Sequence, residues 1–315
     1  MSLRIRLYEA TQATAWNAFV GRSRNGTFLF HRDYMDYHAD RFEDASLIVE
    51  SDSGEWLAIL PASKHGDELR THGGLSYGGF VISDSMSAPR MLETFTVLRA
   101  HLETASISKL LYKTIPWIYH RHPSEEDRYA LFRNNARCTR TEVLTVATPR
   151  SMLPIQERRR RAIKRAIKEG IEWFCGPIPE AFWEMLSGVL HSKHGVQPVH
   201  RFDEIKLLEA RFPQNILFCG ARRTGELLAG VVMYQTLQVA HAQYICASEE
   251  GKDKGALDFL CERLLLERYR DTPFFDFGNS NEQLGQVLNI GLVEQKEGFG
   301  ARTVVQDFYE LSIAS

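Results

Sequence analysis

Alternating apolar and polar positions predict a strand-rich segment between Asn215 and Ala247. Asn215 to Cys219 is apolar enough to be a buried strand, and the polar, glycine-centred residues 223–226 are typical of a hairpin turn. A second strand is predicted from Leu227 to Leu237. From Val239 onwards, His241 and Gln243 share one face of a third strand with apolar neighbours. Because a buried polar group without a partner costs about 1–3 kcal/mol, these two side chains are either paired or line a cleft.

The residues after this third strand predict a loop followed by an amphipathic helix. Leu257, Leu260, Leu264 and Leu265 recur at helical spacing. Ahead of them, Gly251, Lys252, Lys254, Gly255 and Ala256 lie in a segment that would enter the helix N-terminus. Backbone N–H groups, the helix dipole and two lysines suit such a loop to hold an anion. The alternative is an ordinary strand-to-helix connection with solvated lysines.

The first half of the chain repeats this order of elements. The pattern predicts a strand at residues 3–8, a helix at 14–20, a helical aromatic stripe within 28–42, a hairpin at 46–63, a helix at 89–104, and strands at 109–118 and 141–149. Residues 54–58, GEWLA, echo residues 225–229, GELLA, each after a strand and a polar turn. The spacing favours a duplicated domain. We therefore predict two domains, residues 1–149 and 150–315.

A glycine-rich segment, THGGLSYGGFVI, follows the first predicted hairpin. Glycine lets backbone approach backbone or a ligand closely. His72 and Tyr77 are therefore candidate pocket-wall residues, and the alternative is a tight crossing between strands.

A strongly basic helix is predicted from residues 157 to 169, ERRRRAIKRAIKE. Its apolar positions form one narrow stripe, so one side of the helix is predicted to pack against the protein and the other side is positively charged. Arg158 and Arg161 are candidate ligands for phosphate oxygens, which arginine forks bind in pairs. The alternative is a solvated face. A site for nucleic acid alone is disfavoured because the aromatic residues of a stacking platform are missing.

Composition restricts the class of protein. The 315 residues carry a net charge of −2, so no global field draws the chain to nucleic acid or an anionic membrane. The five cysteines have no metal-site spacing and are predicted to be reduced core residues, and no metal site is expected. The N-terminus lacks a signal-peptide pattern, and no apolar run is long enough for a membrane span. We therefore expect a cytoplasmic protein.

The order of strands, glycine loop and helices resembles the acetyltransferase domain of the GNAT superfamily. In the loop, Lys252 stands for the Gln or Arg of the family pattern and Gly255 for its first glycine, while Leu257 occupies the last small position. Near the C-terminus, Asp276-Phe277-Gly278 and residues 296–300, KEGFG, resemble the closing segment of the FemAB-like branch. The resemblance implies an α+β fold of two GNAT-like domains in tandem, each a mixed, mainly antiparallel sheet flanked by helices.

The resemblance also implies an activity. FemAB-like proteins are acyltransferases, so the expected donor is acyl-CoA or aminoacyl-tRNA and no cofactor is bound permanently. The expected acceptor is an amine on a small molecule or on a cell-envelope, peptidoglycan or nucleotide-sugar precursor, and tRNA is a possible partner. The rival hypothesis is a non-catalytic tandem GNAT-like module that binds such a precursor.

Several residues receive roles from this interpretation. Candidate bases are Asp276, His200 and Glu204, the last two within a segment, residues 194–204, similar to one in envelope-modifying members of the branch. The backbone near Tyr244 and Ile245 is the candidate oxyanion site. The donor's phosphates are assigned to Lys252, Lys254, Gly255 and Ala256. Acceptor contacts are assigned to His194, Gln243, Lys296, Tyr77, Arg158 and Arg161.

Overall fold

A computed structural model describes residues 3–71 and 73–313, although not the side chains of Lys193 and His194. The described chain forms two compact units. Unit 1 comprises residues 3–142, 284–286 and 305–313, and unit 2 comprises Val143–Gln283 and Val287–Val304. The predicted division between residues 149 and 150 differs from these units at residues 143–149, 284–286 and 305–313. The last strand belongs partly to unit 1 because Phe308 to Ser312 pair with Lys109 to Lys113.

Unit 1 contains short strands and four α-helices. The strands are β1 Leu3–Leu7, β2 Glu43–Asp44, β3 Leu47–Ser51, β4 Trp56–Leu60, β5 Ser63–His65, β6 Glu68–Arg70, β7 Val81–Ile82 and β8 Lys109–Lys113. The long strand β9 spans Arg137–Ala147, and its residues up to Glu142 belong to unit 1. The helices are α1 Ala13–Arg22, α2 Arg32–Met35, α3 Ala88–Thr104 and α4 Glu126–Arg133. The core lies between α3 and the antiparallel strands β1, β3 and β4.

The aromatic stripe of residues 28–42 is buried at Phe28, Phe30 and Tyr34 and half-buried at Tyr37 and Phe42, and it is not one helix. Phe28–Phe30 and Asp36–His38 are 3₁₀ turns on either side of α2. His31 has extended backbone angles, φ −67° and ψ 142°, which interrupt the helical path. Phe30 and Tyr34 still lie in the core. The segment therefore bends around its aromatic side chains.

Unit 2 contains a larger sheet and six helices. Its helices are α5 Glu157–Lys168, α6 Glu180–His194, α7 Phe202–Arg211, α8 Glu249–Lys254, α9 Ala256–Arg263 and α10 Ile290–Glu297. Its strands are β10 Glu172–Gly176, β11 Ile216–Arg223, β12 Glu226–Gln235, β13 Val239–Ala247, β14 Phe274–Asn279, β15 Asn281–Glu282 and β16 Val287–Leu288. The last strand, β17, spans Arg302–Ser312, and its residues up to Val304 belong to unit 2. A π-helical turn, Leu264–Arg268, continues α9.

The sheet of unit 2 has the strand order β10-β11-β12-β13-β14-β9. All neighbouring pairs are antiparallel except β13 and β14, which are parallel. Thr224 and Gly225 both have positive φ, at 49° and 88°, and make the predicted tight hairpin between β11 and β12. Helices α5 and α9 cover the apolar face of this sheet with Ile163, Ala166, Phe259 and Leu260. The predicted α+β class, with mixed and mainly antiparallel sheets flanked by helices, is confirmed.

Two irregularities in β13 and β14 create an opening in this sheet. The parallel pairing covers only Val239 to His241 against Phe274 to Asp276, although both strands continue. On its other side, β13 pairs Tyr244 with Val232 and Ala242 with Met233, so Gln243 is the extra residue of a β-bulge. Bulges bend a strand and increase its twist. The two strands therefore separate just beyond His241 and Asp276.

The prediction that all cysteines are reduced is wrong. Cys175 in β10 and Cys219 in β11 form a disulfide, while Cys138, Cys246 and Cys261 are free. The pairing follows from the sheet, because these two residues lie directly opposite each other on antiparallel strands. Their separation of 44 residues in the sequence gave no sign of this register. Among residues 3–71 and 73–313, no helix is long and apolar enough to traverse a bilayer.

Candidate active site

His241 and Asp276 meet at the point where β13 and β14 separate. Nδ1 of His241 lies 2.9 Å from Oδ2 of Asp276. The Asp276 side chain is 1% exposed, whereas that of His241 is 17% exposed. An ionised carboxylate only accepts hydrogen bonds, so the ring donates from Nδ1, which in the neutral ring assigns the lone pair to Nε2. The pair thus combines a buried carboxylate with a more accessible imidazole.

Gly278 supplies a second hydrogen bond to the Asp276 carboxylate. Its backbone N–H donates to Oδ1 of Asp276 at 2.7 Å, so both carboxylate oxygens have partners. Gly278 has φ +76°, a conformation that L side chains rarely adopt. A Cβ atom there would also lie 3.3 Å from Cε1 of His241. The Asp-x-Gly motif therefore fixes the carboxylate and leaves room for the ring.

Lys296 anchors the end of β14 from α10. Its Nζ donates to the carbonyl oxygens of Gly278 at 3.0 Å and Asn279 at 2.7 Å, and to Oγ of Ser280 at 2.9 Å. Burial lowers the pKa of Lys296 to about 8, while the charge of Asp276 acts in the opposite direction. All three ammonium hydrogens have protein acceptors. The assignment of Lys296 to acceptor phosphate or carboxylate therefore finds no free donor at this residue.

A stack of aromatic rings supports this corner of unit 2. Phe277 and Phe299 are stacked, with ring centroids 5.6 Å apart. The Arg159 guanidinium of α5 lies 5.5 Å from the Phe299 ring and forms a 2.7 Å ion pair with Asp258 of α9. These contacts tie the KEGFG segment and α5 to the strand that carries Asp276. Phe299 of that segment is therefore a packing residue.

His200 and Tyr244 form a second polar pair in the same unit. Nδ1 of His200 lies 2.5 Å from the Tyr244 hydroxyl, and Tyr244 packs edge-on against Trp183 with centroids 5.1 Å apart. The predicted base Glu204 has a structural contact: its Oε2 accepts the backbone N–H of Arg201 at 2.8 Å and caps α7. The structure thus brings His200 to the strand residue Tyr244.

Gln243 is the bulged residue of β13, close in sequence to the point where β13 and β14 separate. Its side chain is partly exposed, yet Oε1 is a buried atom with no hydrogen-bond partner among the described residues. An unsatisfied amide oxygen of this kind is costly unless a ligand or water supplies a donor. Gln243 therefore stays a candidate ligand contact.

Residues 249–254 do not form the loop that the sequence predicts. They form helix α8, which Ser248 caps through its side chain, accepting from Gly251 N at 3.0 Å. Lys252 pairs with Glu249, and Lys254 pairs with Glu169 at 3.1 Å. A Cβ atom at Gly255 would lie 2.4 Å from the Ala162 carbonyl oxygen, so this glycine serves close packing against α5. Ala256 is buried at the start of α9.

The exposed face of α5 carries the remaining cations that the sequence identified. Arg158, Arg161, Lys164 and Lys168 are exposed, and no described carboxylate pairs with them. In contrast, Arg159 points inward and Arg160 pairs with Glu157 at 2.8 Å. Arg158 and Arg161 are thus available to an anionic partner.

Tyr77, which the sequence assigned to acceptor contacts, is a buried residue of unit 1. It is 4% exposed, its hydroxyl lies 2.9 Å from Oγ1 of Thr27, and its ring packs on Tyr119 at 4.4 Å. Tyr77 is thus part of the aromatic core of unit 1. His72 and the His194 side chain lie outside the described residues. Among residues 3–71 and 73–313, no three His, Cys, Asp or Glu side chains are grouped as metal ligands.

His241 was not among the residues assigned a role from the sequence. The alternation in β13 predicted that His241 and Gln243 were paired or lined a cleft, but it gave no partner. Asp276 is 35 residues away, and only the short parallel register of β13 and β14 brings the two together. The combination of a polar residue in a predicted central strand and a strand-end Asp-x-Gly is the signal that the pair leaves in the sequence.

Known structures share this fold at low sequence identity. No protein-family model and no curated protein sequence matches the chain. A crystal structure of FemX is 9% identical with a TM-score of 0.65, covering 96% of each chain. L-PGS from Bacillus licheniformis is 12% identical with a TM-score of 0.61, covering 98% of this chain and 92% of that one. A tandem GNAT protein from the clavulanic acid biosynthesis pathway is 11% identical with a TM-score of 0.54, covering 100% and 99%.

These likenesses extend over nearly the whole chain, so they concern the complete architecture. At such identities they establish the fold and leave the chemistry to the site itself. The chain therefore has the FemAB-like, tandem GNAT fold that the Asp-x-Gly and KEGFG segments predicted.

Proposed function

We propose that unit 2 transfers an acyl or aminoacyl group from an activated donor to an amine. The observation that carries this proposal is the His241–Asp276 pair at the separation of β13 and β14. A parallel pair that opens within a sheet exposes backbone groups and a slot for an extended substrate. The fold shared with FemX and a tandem GNAT protein supports the reaction class.

In this proposal His241 is the general base. An acceptor ammonium must lose a proton before its nitrogen can attack the acyl carbon, and histidine exchanges protons near neutral pH. Asp276 holds the Nδ1–H tautomer, so Nε2 is the atom that accepts the proton. Asp276 is then a positioning residue, because both its oxygens are engaged with His241 and Gly278. This replaces its predicted role as the base.

The remaining steps involve β13. As the C–N bond forms, charge develops on the acyl oxygen, and backbone N–H groups near Tyr244 and Ile245 are the proposed donors to it. After the attack the nitrogen carries one further proton, which it releases to water. When the bond to the donor breaks, the Tyr244 hydroxyl supplies a proton to the leaving oxygen or sulfur. His200, 2.5 Å from that hydroxyl, orients it and afterwards passes it a proton taken up from water. Lys296 maintains the end of β14 through the Gly278 and Asn279 carbonyls.

Between the two expected donors, the charges of unit 2 favour aminoacyl-tRNA. The lysines assigned to the diphosphate of acyl-CoA lie on α8 and are paired with Glu249 and Glu169. By contrast, the exposed cations of α5 have no described carboxylate partner. A row of unpaired cations suits a polyanion, whose binding releases counterions. We infer that charged tRNA is the donor, and that transfer takes place in the cytoplasm, where charged tRNA is found.

The proposed acceptor is an amine on a small molecule or an envelope precursor, such as a peptidoglycan precursor. Gln243 would contact it, because its buried Oε1 can accept from an ammonium or amide group. This assignment rests on the FemAB-like resemblance and on the chemistry of the bulge.

A binding and transfer experiment tests the proposal. Purified protein is mixed with acetyl-CoA, charged tRNA or uncharged tRNA, and thermal stabilisation and release of the acyl group are both measured. Ligand that binds the folded state raises the melting temperature. The proposal requires stabilisation by tRNA and release of the aminoacyl group when an amine is added. Stabilisation by amine-bearing precursors alone, without release from either donor, would instead support the non-catalytic binding module.

A further inference from the structure

Unit 1 contains a cavity of about 390 Å³ that the proposed function does not use. Its walls come from β6, β8, β9 and β17 of that unit, and Leu284 lies at its rim. This volume is in the range of small-molecule sites in proteins. Three cationic side chains line it: Arg70, Lys113 and Arg140.

Lys113 has no carboxylate partner among the described residues. Its Nζ donates to the backbone carbonyl of Leu75 and lies 5.8 Å from the Phe308 ring. Although part of its surface opens on the cavity, burial lowers the pKa of Lys113 to about 8, and repulsion from Arg140 adds to this effect. A buried ammonium without a compensating charge is unfavourable. The cavity therefore holds a positive charge that the protein itself does not neutralise.

Arg140 reinforces this charge from the neighbouring strand. Its guanidinium stacks on Phe308, with Cζ 4.4 Å from the ring centroid, and it pairs with Glu142. Its Nε is a buried donor with no hydrogen-bond partner among the described residues. Arg70 pairs with Glu68 at 2.8 Å. Arg70 and Arg140 are thus each paired with one carboxylate, whereas the positive charge of Lys113 is not neutralised by a described carboxylate.

The rim of the cavity is apolar and is held in place by backbone packing. Leu284 is 71% exposed and has φ +53°, and the next residue, Gly285, has φ +87°. A Cβ atom at Gly285 would lie 2.7 Å from the Thr141 carbonyl oxygen and 3.2 Å from Cγ of Arg140. The glycine therefore seats this turn directly on β9. Leu111, Leu284 and Phe308 give the cavity apolar walls beside the cations.

We propose that this cavity binds a small organic anion, with a carboxylate or phosphate on Lys113 and the unused Arg140 Nε–H, and an apolar body against Leu111, Leu284 and Phe308. An oxyanion accepts hydrogen bonds from both cations and neutralises the charge of Lys113. The apolar part of the ligand is removed from water when it packs against Leu111, Leu284 and Phe308. The site belongs to unit 1 alone and stands independently of transfer in unit 2.

Binding of benzoate, phenyl phosphate and the neutral analogue benzamide to the intact protein tests this proposal by calorimetry. We expect saturable binding of at least one of the two anions and none of benzamide. Lys113→Met and Arg140→Lys should each weaken anion binding by about tenfold or more. Arg133→Met should have no effect, because Arg133 is an exposed cation of the same unit outside the cavity. A preference for phenyl phosphate over benzoate would identify phosphate as the head group.

A second measurement separates binding from folding. Without ligand, Lys113→Met should melt at or above the temperature of the parent protein, because it removes an uncompensated buried charge. With ligand, NMR titration of the methylated Lys113 side chain should show a higher pKa in the parent protein. The proposal is overturned if neither anion binds at millimolar concentration. It is also overturned if Lys113→Met, shown to be folded, binds them as well as the parent protein does.

Discussion

His241 and Asp276 are hydrogen-bonded, 2.9 Å apart, at the last paired position of two parallel strands that then separate. The two residues contribute different properties to this pair: Asp276 is buried and held by Gly278, whereas His241 reaches the opening. The local geometry thus sets Nδ1 of the ring as the donor to Asp276. The predictions below follow from this arrangement and its surroundings.

Replacing Asp276 with Asn should lower the rate of acyl transfer without disturbing the fold. Asn can still accept the Gly278 N–H, but its amide presents a donor to Nδ1 of His241 and favours the wrong tautomer. We expect kcat to fall by at least about tenfold with little change in KM. Steady-state kinetics, with circular dichroism as a check on folding, measures this. An unchanged kcat in a folded variant would show that Asp276 does not position a base.

Lys296 should make the stability of the protein depend on pH above 8. Its pKa is lowered from 10.5 to about 8 in the folded state. The unfolded chain therefore binds more protons between these values, and the free energy of unfolding rises with pH, by up to about 1.4 kcal/mol per pH unit. This contribution is present above pH 10.5 and is lost as the pH falls through 8.

Lys296→Met should remove that part of the slope, measured by urea unfolding at several pH values. Lys113, with a pKa of about 8 as well, provides the matched variant, and Lys113→Met should remove a similar part. A Lys296→Met protein with the parent slope would contradict the assignment of Lys296 as a buried ammonium.

Gly255→Ala should destabilise unit 2 much more than Gly225→Ala. Both glycines have positive φ, but a Cβ at Gly255 would lie 2.4 Å from the Ala162 carbonyl, whereas Gly225 has open space. Backbone strain alone costs about 1 kcal/mol at Gly225, and displacement of α5 raises the cost at Gly255 to about 2–4 kcal/mol. Chemical unfolding of both variants measures the difference. Equal losses would mean that Gly255 is needed for its backbone angles and not for packing.

Much of the architecture of unit 2 could be predicted because its strands carry regular signals. The hairpin at Thr224–Gly225, the amphipathic helices and the Asp276-Phe277-Gly278 segment are local patterns. The phosphate loop could not be distinguished from a short helix, since a glycine and two lysines occur in both. Its helical state follows from the Ser248 cap and the ion pairs of the lysines with Glu249 and Glu169, and Glu169 is distant in sequence.

The site itself depended on tertiary register. Neither the His241–Asp276 pair nor the Cys175–Cys219 disulfide follows from spacing, because each requires the strand order of the sheet. The sequence likewise indicated that Tyr77 and Lys296 were ligand contacts. In the structure Tyr77 packs in the core against Tyr119. The Lys296 ammonium donates its hydrogen bonds to Gly278, Asn279 and Ser280.

Binding of charged tRNA should be salt-dependent through Arg158 and Arg161. Each phosphate contact contributes about 0.7–0.9 to the slope of log affinity against log salt concentration. Arg158→Ser with Arg161→Ser should therefore reduce the slope by about one to two. Arg160→Ser is the control, because Arg160 on the same helix is already paired with Glu157. Filter binding over a range of salt concentrations measures the slopes. Equal slopes for the parent protein and the double variant would exclude the exposed face of α5 as the tRNA-binding surface.

Single-turnover transfer from charged tRNA to methylamine, a small amine that is an ammonium ion near neutral pH and replaces the unidentified acceptor, tests the central claim most directly. Parent protein, His241→Gln and His200→Gln are compared, with the uncatalysed reaction subtracted. We expect His241→Gln to lower the rate of methylamide formation by about 100-fold or more, as loss of a general base does, and His200→Gln to lower it less. Parent-like transfer by a folded His241→Gln protein would contradict the claim.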